Sequence, residues 1–207
     1  MSGSLALAAD DGAGLWTGAA SRGRVGMDVE LVKRAQQGDE IAFASLAVAI
    51  GDRLHSVAIG ILRDVDLAED ATQQALLSIW RDLPQLRDPA RFPAWSYRLL
   101  VRACYAEARR ERRWSPKLRV LERDAVATAE LEDVVRRDQI ERGFRRLSVE
   151  HRAVVVLHHY LDLTLQEVAD TLAIPIGTVR SRLFYAMRGL RAALDADAGP
   201  ISREMIR

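Results

Sequence analysis

The chain has 207 residues, of which 49% are hydrophobic and 29% are charged, with a formal net charge of +1. This composition is typical of a folded protein with one medium domain or two small ones. No uninterrupted apolar run approaches the roughly 20 residues that cross a bilayer, and the single cysteine, Cys104, excludes an internal disulfide and a cysteine-based zinc site. We therefore expect a cytoplasmic protein without membrane insertion.

The N-terminal residues 1–26 are rich in Gly, Ala and Ser and lack any periodic pattern. Such a segment cannot bury enough apolar surface to fold, so we predict a disordered N-terminal extension. Patterned sequence opens only at Met27. Our hypothesis is that translation starts at Met27, which mass spectrometry of the native protein would test.

From Asp28 onward the apolar residues recur at helical spacing, and no alternating strand pattern of useful length is present. Four helices are predicted in the first half: one through Val29 and Val32 that ends near Gly38, one from about Phe43 to Ile61, one from about Asp66 to Asp82, and one from about Pro89 to Arg113. The sequence therefore predicts an all-α protein.

Charge is distributed unevenly despite the small net charge. Residues 87–119 hold ten basic and three acidic residues, acidic residues predominate between 122 and 138, and residues 180–191 hold four arginines and no acid. Two basic segments separated by an acidic one indicate two surfaces for nucleic acid and a connector between them.

Residues 115–137 are charged and weakly patterned, and we interpret them as a linker. A second helical set is predicted from Asp138, with Phe144 and Leu147 at the end of its first helix. Ser148 is placed to cap the next helix, because a serine hydroxyl accepts a hydrogen bond from a first-turn amide. The inner face of that helix is predicted to consist of Val154, Val155, Leu157 and Leu161.

The segment from Leu163 to Leu190 predicts two helices joined by a tight turn. Thr164 and Glu167 have the spacing of a capping box, which marks a helix start. Pro175 and Gly177 interrupt the pattern, so we expect the turn to run from Ile174 to Thr178. The inner face of the second helix is predicted to consist of Val179, Leu183, Ala186 and Leu190.

The opposite face of this second helix carries arginine, hydroxyl and aromatic side chains. They are Arg180, Ser181, Phe184, Tyr185 and Arg188. These groups suit phosphates, guanine edges and thymine methyls in a DNA major groove. The alternative is a solvated arginine-rich face, but two exposed aromatic side chains argue against an idle surface. The pattern therefore predicts a helix-turn-helix that contacts DNA.

Longer motifs carry a resemblance to a known family. They are GDEIAFASL, DLAEDATQQALLSIW and RFPAWSYRLL in the first half, and LSVEHRAVVVLHHYLDLTLQEVADTLAIPIGTVRSRLFYAMRGL in the second. With these motifs the chain resembles the extracytoplasmic-function (group IV) sigma factors of bacterial RNA polymerase. The resemblance implies two small helical domains joined by a flexible linker, with sigma region two at 27–114, the linker at 115–137, sigma region four at 138–195 and a C-terminal tail at 196–207.

The resemblance implies that the third helix docks on the clamp helices of the largest β-type subunit of core RNA polymerase. The implied contact residues are Asp66, Glu69, Asp70, Gln73 and Gln74. Carboxylates and amides can pair with a basic partner helix, which gives orientation and specificity. The alternative is that the acids only favour a helix N-terminus through its macrodipole.

The fourth helix resembles the segment that recognises and melts the minus-10 promoter element. The residues implied to contact DNA are Phe92, Trp95, Arg98, Arg102, Arg109 and Arg110. Aromatic and cationic side chains offset the cost of unstacking bases and follow the released strand. Trp95 has a second interpretation as a core residue. Arg102 and Ala106 depart from the family pattern of Asn and Asp, so the minus-10 base preference does not transfer.

The last helix resembles the reader of the minus-35 element. The implied contacts are Thr178, Arg180, Ser181, Phe184, Tyr185 and Arg188, and region four is also implied to contact the polymerase flap. Tyr185 stands where a basic residue is common in the family. We therefore expect an altered minus-35 preference or one fewer phosphate contact.

A stand-alone helix-turn-helix regulator is the main alternative, but it gives no reason for an acidic docking helix or an aromatic, arginine-rich melting helix. An enzyme is the weaker alternative. His158 and His159 could suggest a metal site, but adjacent residues point in different directions on a helix. No cofactor or metal is implied. The partners implied are core RNA polymerase and promoter DNA, with an anti-sigma factor as a further candidate that the sequence does not identify.

Overall fold

The computed structural model of the protein describes residues 28–114 and 140–197. The first helical set contains α1 (Val29–Gln36), α2 (Glu40–Leu62), α3 (Val65–Asp82) and α4 (Phe92–Trp114), with short 3₁₀ turns at Leu83–Gln85 and Pro89–Arg91. The second helical set contains α5, described over 140–146, then α6 (Val149–Val155) with a π-helical turn at Val156–Tyr160, α7 (Leu165–Leu172) and α8 (Ile176–Asp197).

Every regular element in the described ranges is helical, which confirms the all-α prediction. The predicted N-terminal extension, the predicted linker and most of the predicted C-terminal tail lie outside the described residues.

Short polar side chains set the starts of the helices. The carboxylate of Asp39 accepts a hydrogen bond from the Ala42 amide, and Asp64 accepts one from the Leu67 amide. The hydroxyl of Ser148 caps α6 as predicted. Such caps satisfy amides that have no partner inside the helix. The local sequence therefore fixes where these helices begin.

The α2–α3 hairpin forms the centre of the first helical set. Leu46, Leu54 and Ile61 of α2 and Ile79 of α3 are fully or almost fully buried. By length and hydropathy α2 resembles a membrane-spanning helix, yet 44% of its most apolar window is buried inside the fold. Its apolar character is therefore accounted for by its place in the core.

The second helical set closes around α8. Val179 and Ala186 of that helix are fully buried, and Leu190 is 9% exposed. Leu190 and Ala186 pack in one cluster with Phe144 and Leu147. The core positions predicted for the helix-turn-helix are therefore found where the pattern placed them, apart from Leu183, which is half-buried.

The two helical sets pack directly against one another. One continuous apolar core includes Val57 and Leu100 of the first set together with Val154 and Leu157 of the second. A Cβ atom on Gly60 of α2 would lie 3.1 Å from a methyl group of Val156, so a larger residue there would require Val156 to move by a few tenths of an ångström. The sequence predicted two helical sets but not the interface between them.

Candidate functional site

The predicted polymerase-docking residues form one stripe on α3. Asp66, Glu69, Gln73 and Gln74 are exposed, and Asp70 is half-exposed. The opposite face of α3 is buried through Ala68, Ala71, Ala75 and Ile79. The helix therefore exposes its carboxylates and amides while its alanines pack the core.

The stripe continues into two apolar residues that the sequence analysis missed. Leu77 is 61% exposed and Trp80 is 39% exposed, four and seven residues beyond Gln73. The ring of Trp80 lies 4.6 Å from that of Phe43 on α2, which holds it in place. Their place on the stripe could have been predicted from the sequence, because residues four and seven positions after Gln73 lie on the same helix face.

Asp70 is already bound within the chain. Its carboxylate accepts a hydrogen bond from the Arg110 guanidinium of α4 at 2.7 Å. The same guanidinium lies 2.8 Å from the carboxylate of Glu107, whose side chain is almost fully buried. The structure thus brings together one predicted docking residue and one residue predicted to contact the minus-10 element.

The prediction that Phe92 contacts the minus-10 element is wrong. This residue begins α4 and is completely buried, with its ring 6.0 Å from that of Trp95. A side chain with no exposed surface cannot stack on an unpaired base, so Phe92 belongs to the core rather than to a DNA-contacting surface. Trp95 is half-buried and packs against the core, in agreement with its second interpretation.

The arginines of α4 differ in what surrounds them. Arg102 and Arg109 are exposed, and the Arg109 guanidinium donates to the carbonyl oxygen of Tyr105 at 3.1 Å. Arg98 is half-buried and donates to the carbonyl oxygens of Asp170 and Thr171 in α7. Only part of the predicted minus-10 surface is therefore open to solvent in this structure.

Tyr105 lies beside the second helical set. Burial raises the pKa of its hydroxyl to about 12, although the nearby Arg182 of α8 favours the ionised form. The aromatic ring packs against the core. This aromatic side chain of α4, like Arg98, is therefore engaged by the second helical set.

The start of the helix-turn-helix has the capping box that the sequence predicted. The Thr164 hydroxyl accepts from the Glu167 amide at 3.2 Å, and the Glu167 carboxylate accepts from the Thr164 amide at 2.8 Å. This reciprocal capping box begins α7. The orientation of the first motif helix is thus fixed locally.

The turn of the motif differs from the prediction. α7 ends at Leu172, the next residue Ala173 adopts the left-handed conformation with φ of 54°, and α8 already begins at Ile176. The carbonyl oxygen of Pro175 accepts from the amides of Thr178 and Val179, so Gly177 lies inside the first turn of α8. Proline is accommodated at this point because the first helical hydrogen bonds are donated by amides of later residues, so its lack of an N–H breaks no bond.

α8 presents its predicted contact face to solvent. Arg180, Ser181, Phe184, Tyr185 and Arg188 are exposed, and Thr178 is half-buried. The rings of Phe184 and Tyr185 lie 5.5 Å apart in an edge-on arrangement. Met187, which was not predicted, is 42% exposed beside them. The face combines cations with apolar groups, as a major-groove reader requires.

Comparison with known proteins identifies the two helical sets. The sigma-70 region 2 family matches residues 46–114, and the sigma-70 region 4 family matches residues 143–192. These matches coincide with the described helices that carry the docking stripe and the exposed face of α8.

Characterised relatives cover most of the chain. The ECF RNA polymerase sigma factor SigM of Mycobacterium tuberculosis is 33% identical over 177 residues, which is 81% of this chain and 84% of that protein. The RNA polymerase sigma-H factor of Pseudomonas aeruginosa is 28% identical over 190 residues, covering 86% and 96% of the two chains.

The fold is also shared with a solved complex. The sigma factor RpoE of Bartonella quintana, in complex with the anti-sigma factor NepR, superposes with a TM-score of 0.60 at 23% identity, covering 75% of this chain and 98% of that one. Taken together with the geometry of α3 and α8, the matches show that the chain belongs to the ECF sigma factors, the alternative sigma factors that direct RNA polymerase to promoters.

Proposed function

We propose that the α3 stripe is the surface that docks core RNA polymerase, on the clamp helices of the largest β-type subunit. The carrying observation is that all five predicted residues lie on the outward face of one helix whose other face is core. Asp66 and Glu69 supply negative charge, and Leu77 and Trp80 supply an apolar border. Acidic and apolar groups side by side suit a basic amphipathic partner helix.

We propose that α8 reads the minus-35 element. Its exposed arginines can bond guanine edges or phosphates, and its exposed aromatic rings can contact thymine methyls. The Ser181 hydroxyl donates to the carbonyl oxygen of Thr178 at 3.0 Å, so it offers its remaining lone pairs outward. The second helical set would also contact the polymerase flap.

For the minus-10 element we propose a surface on α4. Arg102 and Arg109 are exposed for phosphate contact, and Arg98 and Arg110 complete the set once their present partners are displaced. Trp95 borders this surface and is half-buried. Cationic and aromatic groups offset the free energy of unstacking bases when the promoter opens.

The chain would act in the cytoplasm as a specificity subunit and catalyse no bond chemistry itself. Its working units would be region two at 27–114 and region four at 138–195. Because the structurally similar RpoE is found in complex with an anti-sigma factor, we also propose an anti-sigma protein as a partner of this chain. The exposed stripe of α3 is the surface such a protein would compete for.

Potassium permanganate reactivity tests promoter opening directly, because the reagent oxidises unpaired thymines. A promoter fragment of the host is incubated with the chain, with core polymerase, and with both. Reactive thymines around the start site only in the third sample support the proposal. No reactive thymines in any sample, together with a nuclease footprint of the chain alone on the duplex, would favour a stand-alone regulator instead.

A further inference from the structure

The segment between α3 and α4, residues 83–91, is anchored on one side and exposed on the other. We call this segment the connector. Leu83 is completely buried, and Leu86 is half-buried and packs against the core. Arg87 and Arg91 are exposed. Because the connector runs directly into α4, its position determines where these two cations stand relative to the proposed minus-10 surface.

A side chain from another helix holds the connector. Gln36 is the last residue of α1. Its side-chain amide donates to the carbonyl oxygen of Leu83 at 3.1 Å and to that of Leu86 at 2.7 Å. A primary amide carries two N–H donors on one nitrogen, so a single glutamine can satisfy both carbonyls. These carbonyls stand at the beginning and the end of the first 3₁₀ turn, so Gln36 restrains both.

Gln36 projects from a fixed support. Before it in α1, Val32 is completely buried and Ala35 is 3% exposed. After it, the turn to α2 is closed by an ion pair, in which the Arg34 guanidinium donates to the Asp39 carboxylate at 2.7 Å. The end of α1 is therefore held by the core on one side and by the turn on the other, and the glutamine transmits this fixed position to the connector.

The exposed cations of the connector extend the cationic face of α4. Arg91 directly precedes α4 and stands seven residues before Arg98 and eleven before Arg102. Residues at these spacings lie on one helix face. The ion pair of Arg91 with Asp88, at 3.7 Å, is exposed and therefore weak. Arg87 lies four residues earlier. The connector thus adds two cations at the N-terminal end of the proposed minus-10 surface.

We propose that Gln36 is a positioning residue for promoter opening, which holds the connector so that Arg87 and Arg91 meet the unpaired strand together with α4. This inference rests on the proposed minus-10 role of α4. Gln36 itself does not bind DNA, because its amide is occupied by two carbonyls of the connector. Without these bonds the two cations would have to be ordered when the strand binds, and that ordering weakens binding.

Hydrogen exchange of the full chain tests whether Gln36 holds the connector. Gln36→Glu keeps the size of the side chain but replaces a donating amide with a carboxylate that only accepts. We expect faster exchange within residues 83–91, including the Leu86 amide that donates to the Leu83 carbonyl. Gln37→Glu adds the same charge at the exposed neighbouring position and should leave this exchange unchanged.

Promoter opening tests whether the position of the connector matters. Core polymerase with each chain is saturated on a genomic promoter fragment, and permanganate-reactive thymines are quantified. Gln36→Glu should lower the equilibrium constant for opening about tenfold, the order of effect expected when restraining hydrogen bonds are lost. Gln36→Leu removes the donors without adding charge and should act alike. Affinities for core polymerase and for closed duplex should not change, whereas a merely structural role would lower them as well.

A double-mutant cycle tests whether Gln36 acts through the cations of the connector. Arg87→Ala should reduce opening in the wild-type chain but less in the Gln36→Glu chain, because the unrestrained connector no longer presents Arg87. Lys33→Ala is the matched control, since Lys33 is an exposed cation of α1 outside the connector. Its effect should be the same in both chains.

Three results would overturn the positioning role. They are unchanged exchange of the connector in both Gln36 variants, unchanged opening although exchange rises, and additive effects of Gln36→Glu and Arg87→Ala. Arg102→Ala separates these results from failure of the proposed α4 surface. If Arg102→Ala reduces opening and the Gln36 substitutions do not, only the positioning role fails. If none of these substitutions reduces opening, the minus-10 role of α4 fails and the positioning role fails with it.

Discussion

The carboxylate of Asp70 and the guanidinium of Arg110 are joined at 2.7 Å across the α3–α4 interface. One residue belongs to the proposed polymerase-docking stripe and the other to the proposed minus-10 surface. Both side chains are about half-exposed, at 49% and 55%, so the pair contributes at most about 1 kcal/mol to folding. If the two proposed roles hold, we expect a partner with a basic helix to displace Arg110 from Asp70 at little cost in free energy, which would leave the Arg110 guanidinium available to DNA.

We expect Asp70→Arg to abolish polymerase binding and leave the fold intact. The substitution places a cation beside Arg110 and opposite a basic partner, and such like-charge contacts cost several kcal/mol at an interface. Binding of the labelled chain to core polymerase by fluorescence anisotropy measures the loss, and circular dichroism checks the helices.

The matched control is Asp52→Arg, which reverses the same charge at an exposed position of α2 outside the proposed stripe. It should bind polymerase as the wild-type chain does. Transcription by the Asp70→Arg chain at the wild-type level would show that the docking assignment is wrong.

Arg180→Ala should weaken binding of the holoenzyme to promoter duplex by about 1–3 kcal/mol if Arg180 bonds a guanine edge. Binding to core polymerase should not change, because α8 lies on a different surface from α3. Electrophoretic mobility shifts with a promoter fragment give the first quantity, and anisotropy gives the second.

Arg191→Ala is the control for this arginine, because Arg191 is exposed on the same helix but outside the proposed contact set. A comparable loss for both substitutions would point to general electrostatic attraction rather than base recognition, and would remove Arg180 from the specific contacts.

Tyr185→Arg should add one phosphate contact on α8. Each neutralised phosphate steepens the dependence of log K on log salt by about 0.9, so the slope for promoter duplex should become more negative by that amount. Measurements of Kd between low and moderate salt give the slope. An unchanged slope would place position 185 away from the DNA backbone.

Cys104 should be unreactive in the native chain. Burial raises the pKa of its thiol from 9.0 to about 12, and the thiolate is the reactive form. Treatment with a chromogenic disulfide reagent at pH 8 should modify the protein only after urea is added. Rapid modification of the folded chain would contradict the prediction that the thiol is unreactive.

The raised pKa of the Cys104 thiol also affects stability. Its contribution to the free energy of unfolding is complete below pH 9 and is lost as the pH rises toward 12.

Local features of the fold were predictable from the sequence. The Thr164 and Glu167 capping box and the buried positions Val179 and Ala186 follow from contacts between neighbours in the chain. The stripe on α3 was predictable for the same reason, because helical spacing alone places Asp66 and Gln73 on one face.

Features that depend on distant contacts were not predictable. Phe92 is completely buried because other helices cover the start of α4, and nothing in its neighbouring residues indicates this. Arg98 binds backbone carbonyls of α7, which lie more than 70 residues along the chain and have no side-chain signature. Ala173 adopts a left-handed conformation that local pattern would assign to a glycine.

Run-off transcription tests the central claim most directly. Purified core RNA polymerase is supplied with genomic promoter fragments of the host, with and without the chain. If the chain is a sigma factor, promoter-specific transcripts appear only when it is added, and Asp70→Arg suppresses them while Asp52→Arg does not. Absence of transcripts under these conditions, together with tight binding of the free chain to duplex DNA, would contradict the account.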